Sequence, residues 1–217
     1  MPDEIVVIEV YGEGKTDVGH DPQPQPPTQG VVPILLATLC GKPGRMRVKR
    51  YGMPFMQAKG SLAQKVRFAK RQARLNRSAG VTFVVDSEGD LKQRSRNLTR
   101  GRTMEPGEFP MAVGVAHPCI ESWLLADPLA IRRAFNMATN PPVPDEPESL
   151  PSPRQDRKNN PKTALATSVG ASKQELSVVE KERIAAAMND MDLVRTRCPE
   201  GFGPFAGEVH EHIRPLF

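Results

Sequence analysis

The sequence is poor in aromatics, in paired cysteines and, over one long window, in acid. Aromatic residues make up 5% of 217 against 38% apolar, so the core has to be built from Val, Ile, Leu and Ala. No apolar run approaches the roughly 20 residues that cross a bilayer, which excludes a helical membrane protein. Cys40, Cys119 and Cys198 are odd in number and widely spaced, with no CxxC pair for zinc or redox chemistry. A reducing, cytoplasmic location is expected. Met-Pro-Asp-Glu leads straight into a strand-like run, so no secretory signal is expected. Proline is the exception to this economy: 22 residues, about twice the usual share, cluster between ordered segments.

Acid is missing altogether between Pro22 and Val85, where twelve Lys and Arg occur, from Lys42, Arg45, Arg47, Lys49 and Arg50 to Arg74 and Arg77. A segment of one sign raises a positive potential that favours polyanions, nucleic acid among them. A solvated basic face is the alternative, and the length of the acid-free window favours polyanion binding over it.

Hydrophobic patterning predicts an open, mostly parallel α/β sheet flanked by helices. Ile5–Tyr11 is a β-branched run ending at Gly12, a buried first strand. Val18–Gly30 is a Pro/Gln loop that proline keeps from being helical. Val31–Cys40 reads as a short apolar helix stopped by Gly41, and Arg45–Tyr51 as a second strand. Ser61–Arg77 is the clearest helix, with Leu62, Val66, Ala69 and Ala73 on one stripe and Gly80 as its stop signal. Val81–Val85 is a third strand running into Asp86. Leu91–Arg102 is basic and helical or irregular, and Met111–Ala116 is a fourth strand. Two short helices are expected with Pro118 and Pro128 at their first positions. Asn140–Asn160, with six prolines, is a loop or lid. Thr163–Ala171 and Ser177–Met191 are predicted helices, and Cys198–Phe217 an irregular tail.

In such sheets ligands lie beyond the carboxyl ends of the strands. That rule selects Glu13 after strand one, Asp86 after strand three and His117 after strand four. Gly14-Lys15-Thr16 invites a P-loop reading, but the glycine needed five residues earlier is Glu9 and a proline-rich loop follows. What remains is two acidic turns, Gly12-Glu13-Gly14-Lys15-Thr16-Asp17 and Asp86-Ser87-Glu88-Gly89-Asp90. Mg²⁺ is held by one or two carboxylates plus waters and substrate phosphate. Clustered Asp86, Glu88 and Asp90 repel one another unless a cation is present. An exposed Asp/Gly turn is the plainer account of a lone DxExD; two such turns in a basic chain favour metal.

These two turns resemble those of Toprim domains, which carry Glu-Gly after the first strand and Asp-x-Asp after the third. Glu13-Gly14 matches the first, and Asp86 with Glu88 the second, although Glu88 departs from the usual Asp and Asp90 is an alternative. The chain is also similar to small stand-alone Toprim-like proteins, often encoded near defence genes. Their pattern is an EGxTD-type start, an acidic third-strand turn and Pro-x-x-Glu-x-Trp-Leu-Leu-x-Asp, here Pro118 to Asp127, with a later Pro161-Lys162 opening a short helix. The resemblance implies a Toprim-like (Rossmann-like) domain over 1–139, a Pro-rich loop or lid over 140–162, and a helical C-terminal extension over 163–217 packed on the same domain. It implies a Mg²⁺- or Mn²⁺-dependent nuclease in phage defence or nucleic-acid processing. The alternative is a non-catalytic subunit binding nucleic acid or a partner ATPase. Glu13 would be ligand or general acid/base, Asp86 with Glu88 or Asp90 ligands, and Glu121 part of a second metal position, as in OLD-type nucleases. Nucleic-acid contacts are expected from Lys15, Arg67, Lys70, Arg71, Arg74 and Lys162.

Other residues draw plainer readings. Glu9 lies within strand one as a paired or sheet-edge acid, and Asp127 before Pro128 reads as a helix cap. Trp123 is a core anchor and Cys119 a small buried residue. His117 is a base, a phosphate contact or a turn residue. His210 and His212 have a spacing that fits no zinc-helix motif.

Overall fold

The computed structural model describes residues 5–19, 28–41, 46–51, 59–172 and 174–217. The expected loop residues 20–27, and Lys42 and Arg45 of the basic window, lie outside them. Among the described residues four strands form one all-parallel sheet in the order β2-β1-β3-β4: β1 (Val6–Tyr11), β2 (Met46–Tyr51), β3 (Gly80–Asp86) and β4 (Met111–Ala116). β3 and β4 are buried on both faces, which is why they read as continuous apolar runs rather than alternating ones. No helix of the described residues is long and apolar enough to cross a membrane.

Period-2 alternation sorts the strands between two cores. Ile8, Val10, Val84 and Ala112 face a layer containing α2 (Val31–Cys40), while Tyr11, Phe83, Val85 and Val113 face α3 (Leu62–Leu75) and α4 (Leu91–Met104). From β1 the chain moves outward to β2, then returns past β1 to β3 and β4. The join between β1 and β3 is therefore the topological switch point, where ligand crevices form at the carboxyl edge.

The helix starts follow local chemistry. Ser61 and Gln64 make a reciprocal capping box at α3. Asp90 caps α4 by accepting the Gln93 amide at 3.1 Å, and Asp127 caps α6 (Pro128–Ala134) by accepting the Ala130 amide at 2.9 Å, with Pro128 at the first position as expected. Gly41, in the left-handed region, stops α2.

Several expectations are corrected. Gly80 does not end α3; it opens β3. The stop is Arg77, at φ 54°, with Ser78 donating to Ala73 and Arg77 to Arg74, a Schellman arrangement carried by a non-glycine residue. Pro118 does not begin a helix: it follows His117 through a cis peptide bond, and α5 runs over Glu121–Leu125. The helix beyond Asn160 is α7 (Pro161–Ser168), with the Asn160 side chain as its cap. The predicted 177–191 helix is α8 (Val178–Ala187), and a second helix, α9 (Met191–Arg197), starts after it under an Asp190 cap.

The largest correction is the tail. Residues Phe202–His212 form α10, whose Phe202, Phe205, Ala206 and Val209 are buried on the face of β4. Gly201, Gly203, Pro204 and Gly207 give this segment poor helix propensity, but packing overrides it. Gly114 in β4 is the receiving gap: a Cβ there would meet the Phe205 ring at 2.6 Å. Phe205 stacks on Trp123 at 5.2 Å, and Phe202 meets the same indole edge-on at 5.3 Å. Trp123 is thus a core anchor. The 163–217 segment is one layer of the core and shares its cluster with the sheet.

Phe205→Ala should therefore cost about 3–5 kcal/mol, the range for deleting a buried aromatic. Urea denaturation measures it; a loss under about 1 kcal/mol would show that α10 only rests on the surface.

Candidate functional site

At the carboxyl edge of β1 the chain turns sharply through Gly12. A Cβ there would lie 2.7 Å from the Asp17 Cβ, so glycine lets the next segment fold back over the strand end. That segment is a single helical turn, α1 (Lys15–Val18), opening at the Lys-Thr pair where the sequence suggested only loop, and it ends at Gly19. Asp17 is buried, and its Oδ2 accepts the Gly14 amide at 2.9 Å. Lys15 lies on this turn.

Asp86 ends β3 next door. Its Oδ1 accepts the Ile120 amide at 3.0 Å, tying the third-strand turn to the segment leading into α5. The same turn is stitched further: Ser87 Oγ meets His117 Nδ1 at 2.8 Å, and the Glu88 amide donates to the Pro118 carbonyl. His117 is a turn histidine whose partly buried ring has a lowered pKa, opposed by Glu200.

Glu121 opens α5 with 1% of its side chain exposed. Its Oε1 accepts from Lys181 Nζ at 2.6 Å, and its Oε2 is buried with no hydrogen-bond partner. Lys181, equally buried, comes from α8 sixty residues away and also donates to Glu175 at 2.6 Å. Glu175 in turn accepts from Lys162, at the start of α7, at 3.1 Å. The expected helix-opening Lys162 is thus brought to the carboxylates.

The electrostatics follow from burial. Desolvation first, and then Glu121 and Glu13, push the Asp17 pKa up to about 7. Asp86 is raised well above the carboxylate range by burial and then by Asp17, Glu121 and Glu13, against a smaller opposing pull from Lys162. Glu13 is raised by burial, opposed by Arg94 and reinforced by Glu88; the Asp86 backbone N–H favours its ionised form. Burial works against the charge on Lys162 and Lys181, yet Glu121 and Glu175 hold both above the usual lysine value. Cys119, buried beside Glu121 and Asp86, is raised well above the thiol range by burial and by those acids, so it is no nucleophile.

Glu13, Asp17, Asp86 and Glu121 therefore share one electrostatic neighbourhood at the carboxyl edge. Glu88 sits at its mouth, at φ 53°, paired to Arg94 and to Arg154, and Arg94 also pairs with Glu13 at 3.0 Å. Asp90 is exposed and spends its carboxylate capping α4. Glu9 is a buried acceptor for Tyr11, Asn76 and Ser78, each at 2.8 Å. Among the described residues no group of three or more His, Cys, Asp and Glu is placed so that it could hold a metal ion. His212 meets Arg102 and Glu208, and His210 meets Arg214.

The basic stripe is placed elsewhere. A helix joining parallel strands runs back along the sheet, so α3 starts at the carboxyl edge and leaves it. Arg67 pairs with Glu105 at 3.0 Å, Lys70 donates to the Arg102 and Glu105 carbonyls at 3.2 and 3.0 Å, and Arg74 donates to the Pro106 carbonyl at 2.6 Å. Lys70 is buried, and desolvation lowers its pKa. Of the four α3 cations expected to contact nucleic acid, three thus clamp the connection between α4 and β4, and Arg71 is exposed.

The residues that sequence reasoning missed are Asp17 as a member of the site, Glu175, and Lys181. A signal for Lys181 exists: it shares the buried face of α8 with Ile184 and Ala185, at helical spacing, where an unpaired lysine would be untenable.

Because burial and neighbouring acids raise Asp17 above its unfolded value, the folded protein binds an extra proton between the ordinary aspartate pKa, 3.8, and about 7, and Asp86 is raised in the same direction. The stabilising contribution of Asp17 is full below that window and is lost as pH rises through it. In chelator, wild-type stability should fall from about pH 4 to about pH 7 more steeply than that of Asp17→Asn. Denaturant titrations across this range check it; parallel curves for the two proteins would contradict it.

Residues 29–209 match a family model described as a domain of unknown function, DUF4276. The match takes in Asp86, Glu121, Lys162, Glu175 and Lys181 and begins after Glu13 and Asp17. No curated protein and no solved structure matches the chain. With well over half of its residues matched, the chain belongs to the DUF4276 family.

Proposed function

We propose that this protein is a Mg²⁺- or Mn²⁺-dependent phosphodiesterase acting on nucleic acid, built on a Toprim-like domain and serving nucleic-acid processing or phage defence in the cytoplasm. One observation carries the reading. Asp17 and Asp86 have raised pKa values at the switch-point edge, beside Glu13 and a Glu121 whose Oε2 has no partner. Such an arrangement is costly by itself and is relieved by a divalent cation. The donor set is all oxygen, which suits Mg²⁺ or Mn²⁺. No three of these acids are gathered into a ready metal group among the described residues, so the ion would rest on one or two of them, with waters and a substrate phosphate completing its shell.

The metal would be held from among Glu13, Asp17, Asp86 and Glu121, with Glu88 able to join from the mouth. When bound, the metal would polarise the phosphodiester and acidify an attacking water. Glu13, raised in pKa, is suited to take the proton of that water. Lys162 stays protonated beside the acids, where it would stabilise the charge developing on the phosphoryl oxygens. Lys181 fixes Glu121 through Oε1 and leaves Oε2 for the site.

A second reading, a non-catalytic subunit that binds nucleic acid or a partner ATPase, is favoured by the pairing of Glu13 and Glu88 with Arg94 and Arg154. Incubating labelled single- and double-stranded DNA and RNA with Mg²⁺, Mn²⁺ or chelator separates the two. Cleavage should require metal and fall about a hundredfold or more in Glu13→Gln and in Asp86→Asn, with folding retained. Retained binding without cleavage under any metal would favour the subunit.

A further inference from the structure

Two arginines outside the metal-binding set stand at the mouth of the site. Arg94 lies in the first turn of α4, which starts at the carboxyl edge directly after the Asp86 turn. Its Nη1 is 3.0 Å from Glu13 Oε1, and its Nη2 pairs with Glu88 Oε2. Arg154 reaches over from the Pro-rich connection before α7 and pairs with Glu88 Oε1 at 2.6 Å. Glu13, Arg94, Glu88 and Arg154 thus form a continuous chain of alternating charge beside Asp86.

These pairs differ in kind from the Lys181–Glu121 pair. Lys181 and Glu121 are each 1% exposed, so separating them would strand two buried charges. Glu13 and Arg94 are each 24% exposed, Glu88 is 27% exposed and Arg154 is 72% exposed. Ion pairs this open to water are weak and exchange readily for other partners. The inner pair is a fixture, and the outer chain is exchangeable.

We propose that Arg94 and Arg154 form a phosphate-binding pair of the substrate strand, held in reserve by Glu13 and Glu88 and released when those acids turn to a divalent cation. The exchange rests on the metal-dependent reading above. Three carboxylate–guanidinium pairs give way to carboxylate–metal and guanidinium–phosphate pairs, so no charge is left without a partner of opposite sign. The guanidinium fork suits the two non-bridging oxygens of a phosphodiester. It also gives the site cations at the correct edge, a role that the α3 stripe, occupied with its own loop, does not fill. Arg94, inserted between Glu13 and Glu88, has to leave at least one of them when the ion enters, so metal and polyanion favour each other's binding.

Reciprocal coupling is the test. Mn²⁺ affinity is measured by calorimetry, and the affinity for a short, cleavage-resistant phosphorothioate oligodeoxythymidine by fluorescence anisotropy, with and without Mn²⁺. In the wild-type protein Mn²⁺ should tighten oligonucleotide binding about tenfold. Arg94→Gln should shift the two affinities in opposite directions: Mn²⁺ tighter, because a competing cation is gone, and oligonucleotide weaker in the presence of Mn²⁺. Arg154→Gln, a substitution at an exposed side chain that leaves the core untouched, should do the same to a smaller degree. A purely structural role for Arg94 would weaken both affinities or neither. Wild-type protein that binds Mn²⁺ while both variants keep unchanged affinities and coupling overturns the exchange alone. Wild-type protein that takes up no Mn²⁺ overturns the metal site and the exchange together.

Discussion

Concentrating carboxylates at a partly buried strand edge is the constraint around which this molecule is arranged. Desolvation penalises each ionised acid, and proximity penalises them again. The chain answers with lysines brought from far along the sequence. Lys181 reaches Glu121 at 2.6 Å with almost none of either side chain exposed, and Lys162 and Glu175 extend that pairing toward the surface. The relief is incomplete, since Asp17 and Asp86 keep raised pKa values and Glu121 keeps an unpartnered oxygen. Incomplete neutralisation in a buried site destabilises the fold, and perturbed acids of this kind cluster at functional sites.

The scaffold exists to hold that imbalance in place. Parallel β1 and β3 bring Glu13 and Asp86 to one edge, and the Asp86–Ile120 hydrogen bond brings Glu121 after them. The C-terminal segment supplies more than bulk. α8 carries Lys181, α7 carries Lys162, and α10 closes the face of β4 with two phenylalanines against Trp123. Site and core are therefore one structure: a fault in the packing of α8 would leave Glu121 charged, buried and alone. Glu148 plays a similar structural part nearby, accepting the Glu200 and Gly201 amides at the start of α10.

Much of this was legible in the residues. β1, β3 and β4 announce themselves as apolar runs bounded by glycine, aspartate or proline, β2 only by its alternation, and the rule that ligands lie at carboxyl ends then selects Glu13 and Asp86. Glu121 is legible once β4 is recognised. α10 is hidden by Gly201, Gly203, Pro204 and Gly207, although its buried positions recur at helical spacing; only the gap at Gly114 explains why a poor helix former becomes a helix. The partners of the α3 cations, the Glu105 carboxylate and backbone carbonyls near it, are invisible to a charge count. Lys181 and Glu121 are sixty residues apart, and no local pattern pairs them. What local pattern does offer is a lysine on the buried face of a helix, which implies an acid somewhere opposite.

Whether a divalent cation resolves the carboxylate imbalance is read from metal uptake with proton counting. Mn²⁺ is titrated calorimetrically at about pH 6 in buffers of different ionisation enthalpy, which reports the protons displaced by each bound ion. Because Asp17, raised to about 7, is largely protonated there, Mn²⁺ should bind with release of protons to the buffer, and Glu121→Gln should weaken it. Absence of binding, or binding with no proton release and no response to Glu121→Gln, would contradict the account.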